Sequence, residues 1–192
     1  MTVANQITLV RILTIPVFVA MAVYYGQGLQ AGEPQEWQRW AAIALFALAA
    51  ASDALDGFVA RCFNQHTRLG QILDPIADKG LLLAGLITLT FSNWRYQFPL
   101  WFPLLVISRD AVLVFGAVLL DFINGKVNVK PSWFGKTATV FQMAAIGMAM
   151  LHPEFGWMNA LVLAAGAFTL VSGIGYVIDG MRQLQAGGHA SV

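Results

Sequence analysis

Four aspartates with small and basic neighbours, all between residues 53 and 78, have the types and spacing that metal-assisted chemistry requires. They follow the pattern D-x2-D-G-x2-A-R-x8-G-x3-D-x3-D, formed by Asp53, Asp56, Gly57, Ala60, Arg61, Gly70, Asp74 and Asp78. Strongly apolar stretches, 40–51 and 80–91, flank this acidic signature. Because an ionised aspartate at the centre of a membrane helix costs about 2.5–3.5 kcal/mol, the four carboxylates require a compensating charge.

Helical geometry brings the signature residues onto shared faces. At about 100° of rotation per residue, the members from Asp53 to Arg61 fall within an arc of roughly 140°. Gly70, Asp74 and Asp78 recur every four residues and therefore share one face of a second helix. A short polar turn over residues 63–69 joins the two helices, so we predict that the two faces meet.

The side chains of this predicted site offer only oxygen ligands, which favours hard divalent cations such as Mg2+ or Mn2+. Without a countercharge, like charges in one cavity would force protonation. Four aspartates suit two cations about 3.5–4 Å apart, the separation that clamps a phosphoryl group during displacement. Gly57 and Gly70 let a phosphate approach the helix backbone closely, and Arg61 offers a bidentate donor for its oxygens.

The rest of the chain has the composition of a membrane protein. Of its 192 residues 58% are hydrophobic and 11% are charged, with a mean hydropathy of +0.66; soluble domains average about 25% charged residues. The single cysteine excludes an internal disulfide. The net charge of +1 indicates nothing about nucleic acid, but the sequence has no basic run with interleaved aromatic residues, so we expect no nucleic-acid partner. Residues 1–7 lack the basic region of a signal peptide.

We predict one domain, residues 1–192, built from about six apolar segments near the length that spans a bilayer. The predicted segments are 7–25, 40–62, 70–91, 98–122, 134–151 and 157–181. A polar loop is expected at 26–38, and the tail 182–192 is expected to be mobile. Four tryptophans near predicted segment ends are expected at membrane interfaces: Trp40, Trp94, Trp101 and Trp157.

The basic residues predict an orientation for these segments. One side carries Arg61, Arg68, Lys126, Lys130, Lys136 and Arg182, and the other side carries Arg39 and Arg95. Since cytoplasmic loops are enriched in Lys and Arg, we expect both termini and the acidic signature to face the cytoplasm.

The complete acidic signature resembles that of the CDP-alcohol phosphotransferase (CDP-alcohol phosphatidyltransferase) family of integral membrane enzymes. The resemblance implies an all-α, integral membrane bundle of about six transmembrane helices in the cytoplasmic (inner) membrane. It also implies that an alcohol hydroxyl attacks the lipid-linked phosphorus of CDP-diacylglycerol and that CMP leaves. Asp53, Asp56 and Asp74 would bind two divalent cations, Mg2+ or Mn2+, and Asp78 would act both as a ligand and as the general base.

The same resemblance assigns residues to the two substrates. Gly57, Ala60, Arg61 and Gly70 would line the CDP site, together with Asn5 and Thr8 of an N-x2-T-x2-R opening that ends at Arg11. Arg11 either reaches the donor head group or extends to the cytoplasmic surface. Arg109 either binds an acceptor phosphate or neutralises the aspartates. Lys136 either adds a second acceptor-binding charge or lies at the interface.

Two branches of the family share features with this chain. Residues 132–136 look like those of phosphatidylglycerophosphate synthases, which use glycerol 3-phosphate, but Ala138 and Asp110 stand where that branch commonly has Lys and Glu. Residues 108–113 and 129–131 look more like eukaryotic-type cardiolipin synthases. The sequence therefore favours phosphatidylglycerol as the acceptor by a narrow margin, with glycerol 3-phosphate as the alternative.

Two other possibilities concern function class and assembly. A small cation transporter would use the same four aspartates as its binding site, although it would need neither the paired glycines nor the arginine. Members of the family often form homodimers, and small residues at Gly166, Ser172, Gly173 and Gly175 would permit close helix contact.

Overall fold

The computed structural model describes residues 3–63, 68–124, 133–151 and 156–188. Within these ranges the side chains of residues 3–5, 7, 53–63, 68–76, 78, 121, 123–124 and 183–188 lie outside the description. The described chain forms six α-helices: α1 (Val3–Ala31), α2 (Glu36–Phe63), α3 (Arg68–Phe91), α4 (Trp101–Asn124), α5 (Trp133–Leu151) and α6 (Met158–Gly188). The prediction of an all-α membrane bundle is confirmed.

Three of the helices are long and apolar enough to cross a membrane by their length and composition. Among the described residues these spans are Thr8–Ala31, Trp101–Leu120 and Met158–Arg182. A shorter apolar stretch, Lys79–Phe91, follows the acidic signature in α3. Large apolar side chains such as Phe115 and Phe122 are exposed on α4, as expected for a helix surrounded by lipid.

Two helix ends differ from the sequence prediction. α1 continues to Ala31 instead of ending near Tyr25, and α6 continues to Gly188 through positions expected in the tail. Gly32, with φ 77°, ends α1 in the left-handed region. There the Gly32 N–H donates to the Leu29 carbonyl (3.3 Å) and the Glu33 N–H to the Gly28 carbonyl (3.0 Å). This pair of bonds is the Schellman pattern of a helix C-terminus.

The chain divides into two compact units, and the single-domain interpretation stays a prediction. Unit 1 contains α1, α2, α3 and the end of α5 from Ile146 onward. In it α1 packs against both α2 and α3, and the rings of Phe18 and Phe46 lie 5.6 Å apart. A Cβ at Gly26 would lie 1.6 Å from the Ser92 carbonyl oxygen, so only glycine permits this approach of α1 to the end of α3.

Charged side chains gather at one end of unit 1, around the start of α2. Glu36 pairs with Arg39 (3.3 Å) and with Arg95 (3.9 Å). Arg39 also donates from Nε to the Met150 carbonyl (3.1 Å) and from Nη2 to the Leu151 carbonyl. Because these are the terminal carbonyls of α5, Arg39 satisfies acceptors that the helix itself leaves unpaired.

Trp94 differs from the other three tryptophans expected at membrane interfaces. Trp40, Trp101 and Trp157 are exposed, whereas Trp94 is 4% exposed. Its indole N–H donates to the Ala22 carbonyl (2.8 Å), and its ring packs edge-on against Tyr25 at 4.8 Å. Trp94 therefore fastens the connection after α3 to α1, and the interface location of the four tryptophans stays a prediction.

Unit 2 contains α4, α6 and α5 up to Ala145. α4 packs against α6. α5 and α6 are joined by a buried hydrogen bond from Gln142 Nε2 to Thr169 Oγ1 (2.7 Å). Such interhelical bonds help hold helices together in lipid, where burial of apolar surface contributes little.

Candidate active site

The acidic signature lies on two helices that contact each other. Asp53 and Asp56 belong to α2, Asp74 and Asp78 belong to α3, and both helices pack within unit 1. The backbone is helical at all four positions. The prediction that the signature residues share helix faces requires this geometry. The side chains of these four residues lie outside the description, as do those of Gly57, Ala60, Arg61, Gly70 and Asn5.

Arg11 of α1 is buried next to the start of the signature. Its side chain is 1% exposed, and its Nε donates to Ser52 Oγ at 3.2 Å. Ser52 directly precedes Asp53 and donates in turn to the Ala49 carbonyl (2.8 Å). Of the two interpretations of Arg11, extension into water at the membrane surface disagrees with this burial.

Thr8 lies one turn before Arg11 on α1 and is equally buried, at 1% exposure. A threonine and an arginine at this spacing lie on the same side of a helix. Since α1 packs against both α2 and α3, the N-x2-T-x2-R opening directs these two described side chains into unit 1. A buried guanidinium needs a negative partner, which a strongly acidic site offers.

The donor set fits divalent cations by its chemistry. α2 and α3 supply four carboxylates from two contacting helices, and oxygen donors are those that Mg2+ and Mn2+ prefer. Among the side chains that the structure does describe, no group of three His, Cys, Asp or Glu residues forms a second candidate.

Arg109 of α4 is held in unit 2 by three neighbours. Its Nη1 donates to Asp110 Oδ1 (2.8 Å), its Nη2 donates to Ser172 Oγ (3.0 Å), and its Cζ lies 5.7 Å from the centroid of the Tyr176 ring. Arg109 Nε is buried and has no hydrogen-bond partner among the described residues. The guanidinium thus has a local carboxylate partner and retains donors for a further ligand.

Lys136 lies in the first turn of α5 and its side chain is exposed. Ala138, two residues later, is completely buried. Phosphatidylglycerophosphate synthases commonly have a second lysine at the position of Ala138. In this structure that position is buried, so a lysine there would require burial of its charge.

Two of the small residues expected to permit helix contact between copies pack within unit 2, and the homodimer stays a prediction. A Cβ at Gly166 would lie 2.8 Å from Trp101 Cζ3, and Ser172 is buried against Arg109. The sequence did not predict the contacts of Ser172 and Tyr176 with Arg109. Their spacing of four residues on one helix was the available signal.

Comparison with known proteins identifies the family. The family model described as CDP-alcohol phosphatidyltransferase matches residues 1–172. A probable phosphatidylglycerophosphate synthase of Mycobacterium tuberculosis is 34% identical over 186 residues, covering 94% of this chain and 82% of that protein.

A second relative is the CDP-diacylglycerol–glycerol-3-phosphate 3-phosphatidyltransferase of Escherichia coli K12. It is 32% identical over 177 residues, which cover 89% of this chain and 90% of that protein. The protein of the same name from Shigella flexneri has the same identity and coverage. These matches favour the enzyme over a cation transporter. With its apolar helices and its acidic signature, this integral membrane protein therefore belongs to the CDP-alcohol phosphatidyltransferase family of phospholipid-synthesising enzymes.

Proposed function

We propose that this enzyme transfers the phosphatidyl group of CDP-diacylglycerol to glycerol 3-phosphate and releases CMP. The observation that carries the proposal is the near full-length similarity to relatives whose names specify phosphatidylglycerophosphate synthesis. This revises the narrow sequence-based preference for phosphatidylglycerol. That preference gave weight to Asp110 in place of Glu, but Asp110 forms the ion pair with Arg109 at 2.8 Å despite its shorter side chain.

In the proposed reaction, Asp78 accepts the proton of the acceptor hydroxyl. The hydroxyl oxygen then forms a bond to the phosphorus next to the diacylglycerol, and the bond from that phosphorus to the CMP oxygen breaks. CMP leaves with the electron pair. Two divalent cations, when bound, neutralise charge on the transferring phosphoryl group. The residues that would hold them are Asp53, Asp56, Asp74 and Asp78.

The two substrates would be recognised by different residues. Arg61 and the small side chains of the signature are suited to the CDP moiety, with Asn5 and Thr8 contributing from α1. Arg109 would bind the acceptor phosphate through the guanidinium donors that Asp110 and Ser172 leave available, and Lys136 would add a second positive charge. A terminal phosphate carries more negative charge than the phosphodiester of phosphatidylglycerol. An acceptor site with two positively charged side chains therefore favours glycerol 3-phosphate.

We further propose that the acidic signature and both termini face the cytoplasm, with the protein in the cytoplasmic membrane. Arg39 and Arg95, the two basic residues assigned to the opposite side, both pair with Glu36. Their location at one end of unit 1 supports the assignment of both to one side of the bilayer. A water-soluble acceptor and the CMP product would then exchange with the cytoplasm.

The acceptor assignment is tested with the purified enzyme in detergent, supplied with CDP-diacylglycerol and Mg2+. We expect kcat/KM for glycerol 3-phosphate to exceed that for phosphatidylglycerol by at least about tenfold, because a site that pairs with a terminal phosphate discriminates against acceptors without one. The measurement is CMP release, with the lipid product identified by chromatography. Preference for phosphatidylglycerol would overturn the assignment.

Arg11 provides a test of the donor site. In Arg11→Lys we expect KM for CDP-diacylglycerol to rise about tenfold, since one ammonium cannot reproduce the planar set of guanidinium donors. KM for the acceptor should change little. Arg182→Lys, at an exposed position near the end of α6, is the matched control. An unchanged donor KM in Arg11→Lys would remove this residue from donor recognition.

A further inference from the structure

A partly buried polar cluster in unit 2 joins α4 to α6 through Arg109. The cluster consists of Arg109 and Asp110 on α4 and of Ser172 and Tyr176 on α6. The Arg109 and Asp110 side chains are 11% and 15% exposed, and Ser172 is 1% exposed. A charged group within a membrane span is costly unless it is paired, and such groups commonly mark functional sites.

The partners of Arg109 restrain it in different ways. Asp110 supplies the opposite charge, but consecutive residues on a helix project about 100° apart, so this pair alone does not fix the direction of a long side chain. Ser172 Oγ fixes Nη2 from the neighbouring helix at 3.0 Å. Tyr176 lies beside the guanidinium at a separation typical of a cation–π contact.

The backbone of α6 also runs close to the stem of Arg109. A Cβ at Gly173 would lie 3.4 Å from Arg109 Cγ, so the stem lies in van der Waals contact range of α6. Together, Ser172, Gly173 and Tyr176 hold both the stem and the head of this arginine. Arg109 Nε is buried and has no partner among the described residues, whereas Nη1 and Nη2 each donate one hydrogen bond to a described residue and keep a second N–H for a ligand oxygen.

We infer that Ser172 and Tyr176 of α6 are positioning residues for the acceptor phosphate. They act by holding the guanidinium of Arg109, on α4, in a fixed orientation. The inference rests on the proposed function, in which Arg109 binds the phosphate of glycerol 3-phosphate. A guanidinium already held in its binding orientation loses little freedom when the phosphate arrives, which strengthens binding without a direct contact from α6. Acceptor recognition therefore depends on a helix that contributes no residue of the acidic signature.

The test compares variants of α6 in steady-state kinetics with both substrates varied. Ser172→Ala removes the hydroxyl and is expected to raise KM for glycerol 3-phosphate about tenfold, the effect of losing about 1.4 kcal/mol of binding. kcat and KM for CDP-diacylglycerol should stay within about twofold, because a positioning residue for one substrate affects that substrate alone. Ser172→Thr keeps a hydroxyl and should restore the acceptor KM. Tyr176→Phe keeps the ring and should retain most of the affinity that Tyr176→Leu loses.

Thr169→Val is the matched control on the same helix. It removes the buried bond to Gln142 without touching Arg109, and the acceptor KM should stay at the wild-type value. If Ser172→Ala leaves the acceptor KM unchanged, or raises both KM values equally, the inference is overturned while the proposed function stands. A wild-type enzyme that used phosphatidylglycerol in place of glycerol 3-phosphate would overturn the acceptor assignment and this inference together.

Discussion

Asp78→Asn is expected to lower kcat by at least about 10³-fold while the protein remains folded in detergent. The proposed base contributes on the order of 10²–10⁴ through proton transfer alone, and the same side chain is proposed as a cation ligand. The amide is similar in size to the carboxylate but neither accepts the proton of the acceptor hydroxyl nor carries the negative charge that a cation requires. CMP release under saturating concentrations of both substrates measures the effect.

Asp179→Asn is the control for this substitution. Asp179 is an exposed carboxylate on α6, and the same chemical change there should leave kcat within about twofold, as is usual for surface positions. Gel filtration and helical circular dichroism of both variants exclude unfolding as the cause of any loss. If Asp78→Asn retained full turnover, Asp78 would have no role in the mechanism.

The helices of this fold could be predicted because the length of an apolar segment and the spacing of the aspartates are local properties of the sequence. The helices that carry the signature begin and end within four residues of their predicted bounds. α1 was predicted too short because Gly26 and Gly28 resembled a loop. Gly26 instead serves the contact with Ser92, and only Gly32 has the positive φ that ends the helix. The presence of a glycine in the sequence does not by itself show whether it permits close packing or ends a helix.

Contacts between distant residues could not be predicted from one sequence. Arg39 satisfies the final carbonyls of α5, which lie more than 100 residues away, and Arg11 bonds to Ser52 on the next helix. Each depends on which helix faces pack together, and no local pattern specifies that. For the same reason Arg109 could be identified as a charged residue needing a partner, while Ser172 and Tyr176 were not recognised as the residues that hold it.

Removal of divalent cations is expected to abolish turnover and to lower the melting temperature of the protein. If the four carboxylates share one site, as proposed, they repel one another unless cations separate them, so cation binding should stabilise the folded state. A cation present at 100 times its Kd stabilises by about 2.7 kcal/mol, or about 5–10 °C for a protein of this size. EDTA treatment followed by titration with Mg2+ or Mn2+, monitored by CMP release and by thermal unfolding, measures both effects. Full activity in excess EDTA would contradict the proposed cation requirement.

The same titration separates the two roles proposed for Asp78. If Asp78 is a ligand as well as the base, Asp78→Asn should lose turnover and also show a smaller rise in melting temperature on addition of cations. If it acts only as the base, turnover should fall while the cation-dependent rise keeps its wild-type size. Asp74→Asn, proposed as a ligand only, should reduce the thermal shift, whereas Asp179→Asn should preserve it because that carboxylate lies on the exposed surface of α6. Since thermal unfolding does not require catalysis, it reports cation binding even in variants that release no CMP.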